Sequence, residues 1–157
     1  MKQPLIVGGT AGAALSAWSL VTMLQPVSYL TWDVGRSILF VAFMVALTLL
    51  GASRARSSAV ATFGAVATAC LAAAGVTLAS YALSTGYFAQ WIVQLPEYLR
   101  DYTYHGYTSP APYLSTNYAD LLGLQVFSWA ITVLALLVVT GTAGLWLGRC
   151  WPSSQAA

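Results

Sequence analysis

The chain has 157 residues, of which 59% are hydrophobic and only 6% charged, with a formal net charge of +2. An ordinary soluble domain carries about 25% charged residues. So few ionic groups cannot keep a water-exposed surface hydrated, and the natural solvent is a lipid bilayer. The small net charge and the lack of a basic block give no reason to expect a nucleic-acid partner. There is no low-complexity tract and no internal repeat, and the length suits one membrane domain, 1–157.

Four apolar runs define the expected spans. The first is 5–24, 20 residues without a charge, with Pro4 at its start and Gln25-Pro26 at its end. It is long for the core of a signal peptide and is read as a retained span. The second is predicted over 34–52, with Asp33 as N-cap and Asp33 paired with Arg36. The third covers 59–83 and the fourth 121–148, which is long enough to cross with tilt. Each approaches or exceeds the roughly 20 residues needed to cross about 30 Å of hydrocarbon. Only helices satisfy their own backbone groups there. The fold class is therefore all-α, an integral membrane four-helix bundle.

Basic residues set the expected orientation. Four spans put both termini and the 53–58 connection on one side, with Lys2, Arg54, Arg56 and Arg149. The other side carries Arg36 and Arg100 together with Asp33, Glu97, Asp101 and Asp120. Both termini are thus expected on the cytoplasmic or matrix side, of a bacterial cytoplasmic membrane or an organelle inner membrane.

The spans differ in their faces. Gly8 and Gly12 in the first, Ala65 and Ala69 in the third, and Gly144 and Gly148 in the fourth recur at spacing four. Stacked on one face, such residues let backbones approach closely. The third span holds ten alanines and is expected at the centre of the bundle. The second carries bulky Phe40 and Phe43, which are expected to face lipid or a greasy partner subunit. No Asp, Glu, Lys, Arg or His lies mid-span, which argues against a proton pump, a coupled transporter or a voltage sensor. Ser and Thr in the spans are expected to bond back to their own helix.

The connection 84–120 is the richest segment. Phe88, Trp91, Ile92, Leu95, Leu99 and Tyr102 recur at spacings of three and four. That pattern predicts one or two short interfacial helices, interrupted at Pro96. Thr108 to Tyr113 is then expected to be extended. Trp91, Tyr98, Arg100 and Tyr102 are the candidate partner- or lipid-binding residues here, being of the types that anchor at headgroups and dominate interfaces. Glu97, Asp101 and His105 follow at spacing four, the best candidates for a metal. A solvated polar face is the usual meaning of such a run, so no metal is expected.

The functional expectation is a non-catalytic accessory subunit of a larger respiratory, photosynthetic or transport complex, whose partners are the bilayer and other integral membrane subunits. Lipid or pigment between helices is compatible with this, and the sequence requires no cofactor. An alternative is a self-associating channel or carrier for a neutral or lipidic substrate, with Gln125 and a stripe of Ser and Thr facing a common axis. A third reading is a metal-dependent enzyme using Glu97, Asp101 and His105.

Overall fold

A computed structural model describes residues 2–24, 29–87, 103–104, 106–108 and 110–150. Four helices carry the fold: α1 Lys2–Leu24, α2 Tyr29–Ala55, α3 Ala59–Tyr87 and α4 Pro110–Cys150. All four are long and apolar enough to cross a membrane, over Lys2–Thr22, Leu30–Ala55, Ala59–Ser84 and Ser115–Cys150. The chain is an all-helical integral membrane protein, with no strand among the described residues.

The boundaries depart from expectation in two instructive places. Helix α2 starts at Tyr29, so Asp33 lies inside the helix and is not its N-cap. The preceding Leu30, Thr31 and Trp32 contain no breaker, and the helix simply continues through them. Helix α4 starts at Pro110, so residues 110–113 form its first turn and not an extended stretch. Proline is tolerated there because the first N–H groups of a helix have no intrahelical partner. The short helices expected in the connection fall on 88–102, outside the described residues.

The tight turn between α2 and α3 shows why those helices stop and start where they do. The Ser57 and Ser58 amides donate to the Arg54 carbonyl at 2.9 and 3.4 Å, satisfying the end of α2. Ser58 Oγ accepts the Ala61 amide at 3.0 Å and caps α3. Arg54 sits in the last turn of α2, where a cation complements the helix dipole. It also donates to Gln3 Oε1 at 3.1 Å, tying α1 to α2 at this end. The end holding this turn and the beginning of α1 and end of α4 is termed proximal, the opposite end distal.

Helices α2 and α3 occupy the middle, each packing against the other three, while α1 and α4 lie on opposite flanks and scarcely meet. Five of the nine residues of the core cluster come from α3: Ala65, Val66, Ala69, Cys70 and Ala73. Phe43, Leu47 and Leu50 of α2 and Leu136 of α4 fill the space above this small-residue floor. Phe43 is only 3% exposed, so the expectation that it faces lipid or a partner is corrected: it is a core residue. The outward stripe of α2 is instead Leu30, Val34, Ile38, Val41, Val45 and Leu49.

Glycine sets the helix spacing in the proximal half. Gly8 lies on the Ala69 backbone so closely that a Cβ would overlap its carbonyl. A Cβ on Gly12 would come within 2.9 Å of the Ala73 oxygen. On the other flank, a Cβ on Gly144 would lie 2.9 Å from the Gly51 Cα, and one on Gly148 2.5 Å from the Ala52 oxygen. In lipid there is little hydrophobic gain between helices, so this close van der Waals approach is the main source of association.

Candidate functional site

The tight proximal seams contrast with the distal half, where the same four helices diverge around a cavity of about 240 Å³. All four contribute to its wall: Ser16 and Ser19 from α1, Arg36 and Phe40 from α2, Thr77 and Ser84 from α3, and Gln125 and Thr132 from α4. The alternation of helix direction explains how these positions share one depth. Residues 15–20 near the end of α1 meet 32–40 near the beginning of α2, and 77–84 near the end of α3 meet 125–132 of α4.

Four of the eight described wall hydroxyls have already spent their protons. Ser19 donates to the Leu15 carbonyl at 3.0 Å, Ser84 to Ser80 at 2.7 Å and Thr132 to Ser128 at 2.8 Å. Thr77 donates to the Ala73 carbonyl in the same way. Each oxygen keeps lone pairs, so these residues present acceptors to the cavity. Ser16 differs. Its residue is 8% exposed, and its Oγ is enclosed with no hydrogen-bond partner. A buried unsatisfied hydroxyl costs about 1–3 kcal/mol. Gln125 adds an amide able both to donate and to accept.

A tryptophan clasp between α1 and α2 holds the cation of the site. Gly35 leaves room for the Trp18 ring, which a Cβ there would overlap. Trp18 Nε1 donates to the Trp32 carbonyl at 3.2 Å. The Trp32 ring in turn lies 5.0 Å below the Arg36 guanidinium, a cation–π placement that sets the guanidinium at the cavity wall. Among the described residues Arg36 makes no ion pair, so the expected Asp33–Arg36 pair is not formed, although spacing three makes the two neighbours on α2. No Asp or Glu is among the described residues that line the cavity.

On the other side, Tyr118 OH donates to the Ala82 carbonyl at 3.2 Å and fastens the beginning of α4 to α3. Tyr113 is buried, with its ring 5.4 Å from that of Tyr107 in an edge-on contact. These contacts close the distal end around the α3–α4 pair.

Comparison with protein-family models, with curated proteins and with solved structures finds no match to the chain.

The residues picked out from sequence divide three ways. Gly8 and Ala69 meet across α1 and α3, Ala65 is buried on the same α3 face, and Gly144 and Gly148 line the seam with α2. Phe40 is half-buried at the cavity wall, and Phe43 is in the core. Trp91, Tyr98, Arg100, Tyr102, Glu97, Asp101 and His105 lie outside the described residues. Sequence reasoning missed Ser16, Trp18, Gly35, Gly51 and Arg36 as a set. The signal available was the recurrence of Ser, Thr or Gln at spacings of three or four at one depth: Ser16 and Ser19, Ser80 and Ser84, then Gln125, Ser128 and Thr132.

Proposed function

We propose that the chain is a non-catalytic accessory subunit of a larger membrane assembly of respiratory, photosynthetic or transport type, steadying a core subunit through helix packing. The observation that carries this reading is the free face of α4. Leu124, Phe127, Ile131, Leu134 and Val138 are each 53–64% exposed and alternate at spacings of three and four. That is the repeat by which one helix offers knobs to a second helix crossing at a shallow angle. Few residues of the spanning window of α4 are buried, 6% against 33% for α3, so α4 keeps a broad face open to a neighbour. Trp91, Tyr98, Arg100 and Tyr102 would add contacts from the connection beyond the membrane. The proximal end gathers Lys2, Arg54 and Arg149 and is assigned to the cytoplasmic or matrix side by the preference of basic residues for that face.

Purification in mild detergent followed by mass spectrometry tests the reading. A stoichiometric integral membrane partner is expected, lost on Ile131→Ala with Leu134→Ala and kept on Val41→Ala with Val45→Ala. A chain that elutes alone from its native membrane overturns it. A second reading, a small carrier for a neutral or lipidic substrate, is favoured by the distal cavity. In that case the polar stripe containing Gln125 serves a site within one chain and needs no shared axis between copies.

A further inference from the structure

The distal cavity offers acceptors at some points of its wall and donors at others, and the division favours some ligands over others. The hydroxyls of Ser19, Thr77, Ser84 and Thr132 are committed to carbonyls of their own helices, so the wall accepts but does not donate at those points. A neutral ligand that offers only carbonyl oxygens would find lone pair facing lone pair there. A ligand carrying free hydroxyl groups would be matched. At the same wall stands the Arg36 guanidinium, with no carboxylate opposite it among the described residues. A guanidinium with five N–H donors selects an anionic group, and phosphate or carboxylate fits its fork.

Two further facts narrow the class. Ser16 is more than nine-tenths buried and belongs to the cavity lining, and its enclosed Oγ has no partner, so a hydroxyl group that reached it would relieve an unsatisfied polar atom. Leu15, Leu20 and Leu78 share the cavity with these polar groups, so the occupant has an apolar part as well. The volume of about 240 Å³ has room for a phosphate ester with a short polyol. Ser16 and Ser19 lie eight and five residues before the distal end of α1, which at about 1.5 Å per residue places them roughly 8–12 Å below it. A headgroup seated on this wall is drawn below the general headgroup level.

We propose that the distal cavity binds the phosphate-polyol headgroup of an anionic lipid, with the phosphate on Arg36 and the polyol hydroxyls on Ser16, Gln125 and the acceptor wall. The same headgroup chemistry is available from a soluble glycerol phosphate, and the apolar wall favours the lipid. The site concerns occupancy by lipid and stands apart from whether α4 holds a partner subunit.

The test is native mass spectrometry of the full chain in detergent, titrated separately with phosphatidylglycerol, phosphatidic acid, phosphatidylcholine and soluble glycerol phosphate. Phosphatidylglycerol is expected to bind most tightly. Phosphatidic acid, which has the charge without the polyol, should follow, and phosphatidylcholine should come last. Arg36→Gln is expected to weaken phosphatidylglycerol about tenfold, the loss of one charge-assisted contact. Ser16→Ala should narrow the gap between phosphatidylglycerol and phosphatidic acid. Because it deletes an enclosed unsatisfied oxygen, Ser16→Ala should not lower the melting temperature of the lipid-free protein, which separates lost binding from lost folding. Equal binding of phosphatidylglycerol and phosphatidylcholine, or unchanged binding in both variants, overturns the proposal. Soluble glycerol phosphate binding as tightly as the lipid overturns the lipid assignment. Lipid binding that fails while a partner still co-purifies would remove this inference alone.

Discussion

Gly144→Ala places a single methyl group where the structure has no room for one. The added carbon would stand 2.9 Å from the Gly51 Cα and 3.0 Å from both the Gly51 carbonyl carbon and the Ala52 nitrogen. All three are backbone atoms, so no side chain can rotate away. Ordinary contact begins near 3.4 Å, so α2 and α4 must separate by about 0.5 Å at this point. A radial gap of that size forfeits around a quarter of each dispersion well along the seam. The same seam includes Gly148 against Ala52 and Ala55, and Thr62, whose hydroxyl reaches the Gly51 carbonyl at 3.4 Å. Overpacking of a close-packed site typically costs about 1–3 kcal/mol, and that range is expected here. Gly75 provides the control, since a Cβ there meets nothing within 4 Å. Gly75→Ala should be neutral or stabilising by up to ~1 kcal/mol, because alanine is the better helix former. Unfolding of both variants by denaturing detergent, followed by circular dichroism, gives the comparison. If Gly144→Ala is as stable as Gly75→Ala, the close-approach argument for this bundle is wrong.

Trp18→Phe removes the donor to the Trp32 carbonyl while keeping an aromatic ring over Gly35. A loss of about 0.5–1.5 kcal/mol is expected in the same unfolding assay. Gly35→Val, which drives a branched side chain into that ring, should cost more and should alter tryptophan fluorescence. Tyr118→Phe deletes the bond to the Ala82 carbonyl, and a loss of about 1 kcal/mol with unchanged helix content by circular dichroism is expected. Cys150 is exposed at the proximal end and Cys70 is buried in the core. A maleimide should label Cys150 alone in the folded protein and both after denaturation; labelling of Cys70 at a comparable rate would contradict the packing of α3.

The number and position of the spans were legible in the sequence because the requirement is absolute: a backbone in hydrocarbon must satisfy itself, and charge-free length shows where it does. The helix ends were less legible. Asp33 has the chemistry of an N-cap, yet nothing in Leu30-Thr31-Trp32 stops the helix short of it. Pro110 and Pro112 read as a turn, yet a helix accommodates both in its first turn. The misassignment of Phe43 has a deeper cause. In lipid the outside of a bundle is as apolar as its inside, so bulk and greasiness do not say which face is buried. Small residues do carry that information: Gly8, Ala69 and Gly144 stand where backbones approach closely. The cavity is not legible in the sequence because span hydroxyls are ordinarily satisfied within their own helices. That holds for Ser19, Ser84 and Thr132, but Ser16 departs from it.

The length of α4 has a mechanical consequence. It runs unbroken for 41 residues, roughly 60 Å at 1.5 Å per residue, about twice the thickness of the hydrocarbon slab. Gly144 grips α2 near one extremity of this rod, while Pro110 lies some 50 Å away at the other. A pivot of about 5° at the grip would swing the far tip by about 4 Å, so the Tyr118 bond to the Ala82 carbonyl, far out along this arm, is placed where a single tether restrains it best.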